Sequence, residues 1–504
     1  MTGQTPMRLS LNAIAVAIAA WLLSGCSLTP VEQRPDMALP AQFVEADERA
    51  IEPLQASEAI GRWQPAEPAD QQKPSPWWTV LGDPVLMRLE EQALAANPDV
   101  SLAMARLKQA RALTSRSESA RWPDVNAGFG PTRQRTSAAA DGEGDGVPGT
   151  TQTLWRAQAT VAYEVDLFGR VSASVAAARA DAAQQQALAH QMLLLVQADV
   201  ATTYFSLRQL EGEQRLLQET VKLREDAASL LERKLGDGAV PSHVVDQART
   251  ELFSARAEQL AVAQQLALTS HALATLLGKP PAAFSLEARP LESVTVKLPP
   301  GVPSTLLERR PDIAAAERAM AAENARIGVA KAAFFPSLSL TGALGYESND
   351  LGHLADWSQR TFLLGPLVGT ALSLPVFDGG RRKADISRAR TVYEQRVAEY
   401  RKTVLQAFRE VEDSLASLRT LDQRIVHQRG AQDSSARVAQ SAQARFDEGD
   451  VDYLEVVDAQ RTLLRSRQSL IQSEGARARA TVDLVRALGG GWEVAGAEAL
   501  AVSH

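Results

Sequence analysis

The sequence predicts an α+β membrane protein in which a few amphipathic strands per chain are pooled by several copies into a β-barrel, continuous with long coiled-coil helices and built on an internal duplication. Three observations predict it: an N-terminal segment ending in a lipobox-like cysteine, period-two strands interleaved with sustained heptads, and motifs that recur at a nearly constant offset.

At 504 residues the chain exceeds what one small core needs. Hydrophobic residues make up 45% and aromatics only 5%, which favours close helix contacts through small side chains. The net charge is −7, with both signs mixed along the chain, which is not the footprint of a nucleic-acid-binding protein.

Residues 1–25 read as a signal peptide, with Arg8 before an apolar run from Leu11 to Leu23 that is too short to span a bilayer. The run closes on Leu23-Ser24-Gly25-Cys26, which resembles the bacterial lipobox; the alternative is an ordinary secretory signal with an incidental cysteine. Cys26 is the only cysteine, so no intrachain disulfide forms. Ser27, a non-aspartate, favours outer-membrane sorting by resemblance to other lipoproteins. Acyl chains on Cys26 anchor the protein without spanning the bilayer. No later stretch approaches 18 uninterrupted apolar residues, so a membrane crossing has to be a β-barrel.

Residues 26–76 are polar and Pro-rich and read as an extended tether. The chain then repeats itself: Asn97-Pro98-Asp99-Val100 is echoed by Arg310-Pro311-Asp312-Ile313, and Trp122-Pro123-Asp124-Val125 by Phe335-Pro336-Ser337-Leu338. Leu167-Phe168-Gly169-Arg170 has a looser partner in Phe377-Asp378-Gly379-Gly380-Arg381, and Val244-Val245-Asp246 matches Val456-Val457-Asp458. Leu277-Gly278 matches Leu488-Gly489. These echoes divide the chain into repeats at 77–290 and 291–490, each read as helix, two strands, long helix and medium helix, with a tail at 491–504.

The long helices are expected over Val171–Leu235 and Arg381–Glu448, each on the order of 100 Å at about 1.5 Å per residue. Leu193, Val196, Val200, Thr203, Leu207 and Leu210 form one heptad seam, and Val397, Tyr400, Val404, Ala407, Val411, Ser414 and Leu418 another. The medium helix carries Val245, Ala248, Leu252 and Ala255 through Leu276, and turns fall at Gly236-Asp237-Gly238 and Glu448-Gly449-Asp450. Four strands are expected: from Pro123 through Phe129, Trp155–Leu167, Leu338–Tyr346 and Val368–Val376, with outward loops at Ser137–Gln152 and Ser348–Arg360. Alternation of apolar with small or polar residues fits lipid-facing strands, and also fits a half-buried soluble sheet. Four strands cannot close a membrane barrel, so closure needs several copies; three give an even total, though strand physics alone does not select three. Asp141-Gly142-Glu143-Gly144-Asp145-Gly146 lacks EF-hand spacing and reads as a surface loop.

The run Leu306-Leu307-Glu308-Arg309-Arg310-Pro311-Asp312-Ile313, with Phe335-Pro336-Ser337-Leu338 and Leu374-Pro375-Val376-Phe377-Asp378-Gly379-Gly380-Arg381, resembles the outer-membrane factor family of TolC-like and OprM-like channels, and most closely its NodT-type lipoproteins. Gly449 and Asp458-Ala459-Gln460-Arg461 extend the likeness, which covers roughly Trp77 to Gly490. The resemblance implies a homotrimer with a 12-stranded outer-membrane barrel, four strands per chain, above a helical periplasmic tunnel. It also implies a periplasmic adaptor and an inner-membrane pump as partners, and a passive exit duct for small molecules.

The six histidines are too scattered for a metal pair, Gly278-Lys279 lacks the upstream glycine of a P-loop, and no Gly-x-Ser-x-Gly elbow occurs. No catalytic, cofactor or metal site is therefore expected, and energy for export has to come from a partner. By resemblance, Leu454 and Asp458 supply an apolar and an acidic ring at a periplasmic gate, with Asp246 as the repeat partner of Asp458. The alternative makes Leu454 a seam residue and both aspartates complements to a helix N-terminus. Gly238, Val240, Gly449 and Val451 occupy the paired turns and are expected to dock the adaptor, or to serve the turns alone. Two further readings remain open: a protein-secretion duct on the same fold, and a structural lipoprotein that encloses no bore.

Overall fold

A computed structural model describes residues 76–135, 151–291, 309–364 and 371–490, with short stretches at 28–31, 43–45, 62–63 and 492–493 and residues 35 and 37. The leader with Cys26 and Ser27, the loop 141–146, Leu306–Glu308, Val368, Thr370 and most of the C-terminal tail lie outside the described residues.

The described helices are α1 Pro84–Ala96, α2 Pro98–Ser119, α3 Arg170–Gly236, α4 Ser242–Leu276, α5 Pro311–Ala332, α6 Arg381–Glu448 and α7 Tyr453–Ala487. The described strands are β1 Arg62–Trp63, β2 Asp124–Arg135, β3 Thr151–Val165, β4 Ser337–Ser348, β5 Arg360–Leu364, β6 Leu372–Ser373 and β7 Trp492–Glu493. α2 and α5 each span 22 residues, α4 and α7 each span 35, and α3 and α6 span 67 and 68. Among the described residues no helix is long and apolar enough to cross a membrane. The chain divides into two compact units, one built from residues 1–35, 107–184 and 316–400, the other from 36–106, 185–315 and 401–504.

The first unit holds an antiparallel sheet in the order β2-β3-β4-β5, with β6 pairing β4 on the same side as β5. The register puts Val125, Ala127 and Phe129 opposite Val161, Ala159 and Ala157, and those opposite Gly342, Leu344 and Tyr346. One face is therefore apolar along the sheet, while Asp124, Asn126, Gln158, Thr160, Glu164, Ser339, Thr341 and Glu347 lie on the other. The apolar face is bare: Val125 is 64% exposed, Leu344 66% and Phe362 74%. Among the described residues, both outer rows, β2 on one side and β5 with β6 on the other, lack a further strand.

The fourth row departs from the sequence reading. Pairing with β4 begins at Arg360, inside the stretch assigned to an outward loop, and resumes at Leu372–Ser373; Leu374 and Val376 lie beyond it, exposed and unpaired. Pro375 has no N–H to give the ladder, which ends the row there. Leu363 breaks the apolar–polar alternation of Arg360–Leu364 and hides that segment from a period-two search. Gln152 and Ser348, placed in loops, are paired residues of β3 and β4.

Each long helix leaves the sheet through an aspartate. Asp166 accepts from the N–H groups of Val171 (2.9 Å) and Ser172 (2.7 Å), and Asp378 from those of Gly380 and Arg382 (3.0 Å each). The Arg382 guanidinium, 2.5 Å from Asp378, is the main reason its carboxyl is lowered to about 2.

In the second unit, α1 and α2 replace the single opening helix expected for the first repeat. The break at Asn97 follows from Pro98, which cannot continue a helix begun upstream but suits a first turn. Asn97 caps α2 through Asp99 N (2.8 Å) and Val100 N (3.2 Å), and its amide donates to the last carbonyl of α4, Leu276 O, at 2.8 Å. Arg310, its sequence echo, donates to Ala487 O, the last carbonyl of α7, at 2.7 Å, and pairs with Asp312 and Glu410. Gly278 must be glycine at this joint: its φ is +66°, and a Cβ there would meet Ala96 O at 2.4 Å.

The core of this unit gathers Trp77, Leu86, Leu89, Val196, Val200, Tyr204, Phe205, Leu273 and Val482. Trp77 donates to Gln197 at 2.9 Å, and Tyr204 to Asp83 at 2.5 Å. Described residues of the tether pack on folded structure. Phe43 is buried 5.4 Å from the Phe408 ring, and the N–H groups of Val44 and Glu45 donate to Glu412. β1 pairs with β7, Arg62 opposite Glu493 and Trp63 opposite Trp492.

Glu90 of α1 is fully buried, and among the described residues neither carboxyl oxygen has a hydrogen-bond partner. Burial raises its pKa from 4.5 to about 9, so the folded state holds a proton that the unfolded state releases in this window. Because the native state binds more protons, stability falls as pH rises from 4.5 towards 9. The Glu90→Gln variant is expected to be more stable than the parent by roughly 3 kcal/mol at neutral pH. Thermal unfolding curves should show that gain shrinking to nothing near pH 4.5; a gain independent of pH would show that Glu90 is ionised in the fold.

Candidate functional site

The turns at the ends of α3 and α6 flank one apolar cluster, which takes in Val240 but not the other sequence-selected residues. Val221, Ala228 and Leu231 of α3 pack with Val245, Ala248 and Leu252 of α4, Ala439 and Ala442 of α6, and Tyr453, Val456 and Val457 of α7. Both turns close by the same device. Gly238 (φ +72°) and Gly449 (φ +86°) stand just past the helix ends. The next residues reach back, Ala239 N to Lys234 O at 2.8 Å and Asp450 N to Arg445 O at 2.9 Å. Val240 packs on the cluster, whereas Val451 is half-buried outside it. Phe446 lies 5.5 Å from the Tyr453 ring and 5.4 Å beneath Lys234 Nζ, which ties the two turns together.

Leu454 is 52% exposed, so it is not part of a buried seam within its own chain. Asp246 and Asp458 are also exposed. α4 starts at Ser242 and α7 at Tyr453, so both aspartates lie beyond the first turn, where the helix dipole is weakest. The chain thus presents an apolar side chain and a carboxylate on the outside of α7, one turn apart.

The two repeat-related aspartates have different surroundings. Asp458 lies 3.6 Å from Arg461, which also binds Glu251 of α4. Asp246 has no ion-pair partner among the described residues, and Arg249, the echo of Arg461, turns instead to Glu232 of α3 at 2.8 Å. Glu251 is the centre of the cluster's polar network: it is buried, and its backbone carbonyl and carboxylate take Arg224 of α3 at 2.7 and 3.1 Å. One carboxylate therefore joins α3, α4 and α7. Sequence reasoning passed over Glu251 and Arg224. The available signal was a glutamate between the seam positions Ala248 and Leu252, where a charge is costly unless paired. Among the described residues no group of acidic, histidine or cysteine side chains could hold a metal ion.

The sequence and fold match a known family. The outer membrane efflux protein family matches residues 89–279 and again 302–490, and the chain belongs to that family. It is accordingly an outer-membrane efflux component. Among its relatives, the probable efflux pump outer membrane protein TtgC of Pseudomonas putida is 33% identical over 95% of this chain and 96% of its own length. The cation efflux system protein CusC of Escherichia coli is 31% identical over 94% of this chain and 98% of its own. The crystal structure of the outer membrane protein VceC of Vibrio cholerae superposes with a TM-score of 0.76 at 29% identity, covering 84% of this chain and all of VceC.

Replacing Glu251 by glutamine leaves the buried Arg224 without its counter-charge and is expected to cost about 3 kcal/mol. Glu232→Gln, in the half-exposed pair with Arg249, is expected to cost less than about 1 kcal/mol. Urea unfolding of the two variants side by side tests the ranking; equal losses would show that Glu251 is not the anchor of the cluster.

Proposed function

We propose that three copies of this chain pool their sheets into a 12-stranded barrel, and their helices into a hollow periplasmic tube, forming a passive exit duct for small molecules. The observation that carries this reading is the sheet. Its apolar face is exposed and both its edges are open among the described residues, so within a membrane the face calls for lipid and the edge backbone groups call for strands of neighbouring copies. A half-buried soluble sheet would have a core against that face. Closure sets the β2 edge of one copy against the β5–β6 edge of the next. Exposed apolar side chains along the helices, such as Leu223 and Leu230 of α3 and Phe253 and Leu260 of α4, recur seven residues apart and suit packing between copies. The paired element lengths and the two family matches support the duplication, with repeats at 77–290 and 291–490.

At the tip, three copies of Leu454, Asp458 and Asp246 form the periplasmic gate, and the turns with Gly238, Val240, Gly449 and Val451 meet a periplasmic adaptor that links the duct to an inner-membrane pump. Cys26 carries the lipid anchor. One relative is named for cation efflux and another only for an efflux pump, so cargo choice is assigned to the pump rather than to this fold. A secretion duct for proteins stands as the second reading, separated by drug- and metal-sensitivity assays on a deletion strain.

In planar bilayers the parent protein is expected to conduct weakly. The Asp246→Ala/Asp458→Ala double variant should open wider and lose cation preference, since a ring of like carboxylates attracts cations. Arg461→Ala, which frees α7 from Glu251, should raise conductance as well. Silence from all three proteins would remove the duct. Cys26→Ser is expected to abolish acylation while leaving the protein in the outer-membrane fraction; recovery of that variant wholly in the soluble periplasm would count against the barrel.

A further inference from the structure

The apolar face of the sheet carries three arginines, all at the end remote from the helices. The register places Arg133 and Arg135 on that face, opposite Thr153 and Thr151, in line with Val125, Ala127 and Phe129. Arg360 pairs with Tyr346 and so shares the face with Leu344 and Phe362. All three arginines are exposed, and none has an acidic partner among the described residues. The paired residues of this face include no Asp or Glu at all. The opposite face treats its arginine differently: Arg156 is neutralised by Glu347 at 2.7 Å. Next to the unpaired arginines lies an aromatic group, with Phe129 stacked on Trp155 at 5.9 Å and the Arg360 guanidinium 3.1 Å over the Trp357 ring. Trp and Tyr collect where a membrane meets water, so this end of the face lies at headgroup level.

Resting on the barrel reading above, we propose that Arg133 and Arg135 of one copy and Arg360 of the next form a site for the phosphate groups of outer-leaflet glycolipid, one at each subunit seam. The edges dictate the grouping: Arg133 and Arg135 lie on β2 and Arg360 on β5, the two rows that closure brings together. A guanidinium facing lipid without a counter-ion among the described residues is matched in shape by phosphate, which it binds through paired N–H donors. Because each site draws on two copies, bound lipid ties the copies together and stabilises the trimer by mass action.

The test uses the full-length protein in phosphatidylcholine vesicles with and without bisphosphorylated lipid A, reading the temperature at which the trimer dissociates on gels. Native mass spectrometry of the detergent-purified trimer counts bound lipid A. Lipid A is expected to raise the dissociation temperature of the parent. The triple variant Arg133→Gln/Arg135→Gln/Arg360→Gln should lose that increment and bind lipid A about tenfold more weakly or worse. In phosphatidylcholine alone the two trimers should match, and Arg156→Gln should keep the increment. Retention of the increment by the triple variant, or an equal increment from dephosphorylated lipid A, overturns the site. Absence of any trimer in phosphatidylcholine overturns the barrel reading along with it, an outcome visible before lipid A is added.

Discussion

Among the described residues, two rows of the sheet end in backbone N–H and C=O groups with no strand beside them, and the face between those rows is apolar and exposed. Water tolerates such edges; hydrocarbon does not, because each unpaired group costs several kcal/mol there. A family placed in the outer membrane therefore confines this chain to very few arrangements. Pairing with further copies satisfies the edges and lipid covers the face, so closure by several copies follows from that requirement, which the proposed trimer meets.

The helical part answers a different demand. Helices of this length bury little surface per residue, and α6 in particular is polar over most of its circumference. Specific hydrogen bonds mark the places where elements meet end on. Asn97 on Leu276 and Arg310 on Ala487 close the same junction in each half, using an amide in one and a guanidinium in the other. Last-turn carbonyls lack partners within their own helix, so a donor brought from elsewhere in the chain satisfies them and fixes where one rod ends and the next begins. The tether adds a third element along α6, through Phe43 and the Val44 and Glu45 amides on Glu412.

Much of this was legible in the chain itself. The long helices end where their glycine turns announced, since Gly238 and Gly449 carry a positive φ that other residues adopt at a cost. The heptad from Val404 through Val411 is buried as its spacing predicted. The fourth sheet row was misplaced because Leu363 disguises one segment and Pro375 ends the other, so neither shows a clean period of two. Junction donors such as Asn97 were visible as a repeated motif, but their target carbonyls lie almost 180 residues away and belong to the fold. Glu251 eluded the reading for the same reason: whether a charge in a seam is satisfied depends on Arg224 and Arg461, which come from two other helices.

The halves agree closely at the junctions and part company at the tip. Arg461 holds Glu251 and lies beside Asp458, while its counterpart Arg249 pairs with Glu232 and leaves Asp246 to solvent. α7 is therefore fastened across to α4, whereas the matching arginine of α4 is fastened back to α3. A buried, doubly paired carboxylate is strained by movement of either arginine, and a solvent-facing pair is not. In the proposed duct this divides the labour: the α3–α4 pair is a self-contained post, and α7 is the element whose displacement requires Arg461 to leave Glu251. Leu454 and Asp458 ride on α7, so a displacement of α7 that breaks the bond moves both proposed gate residues together.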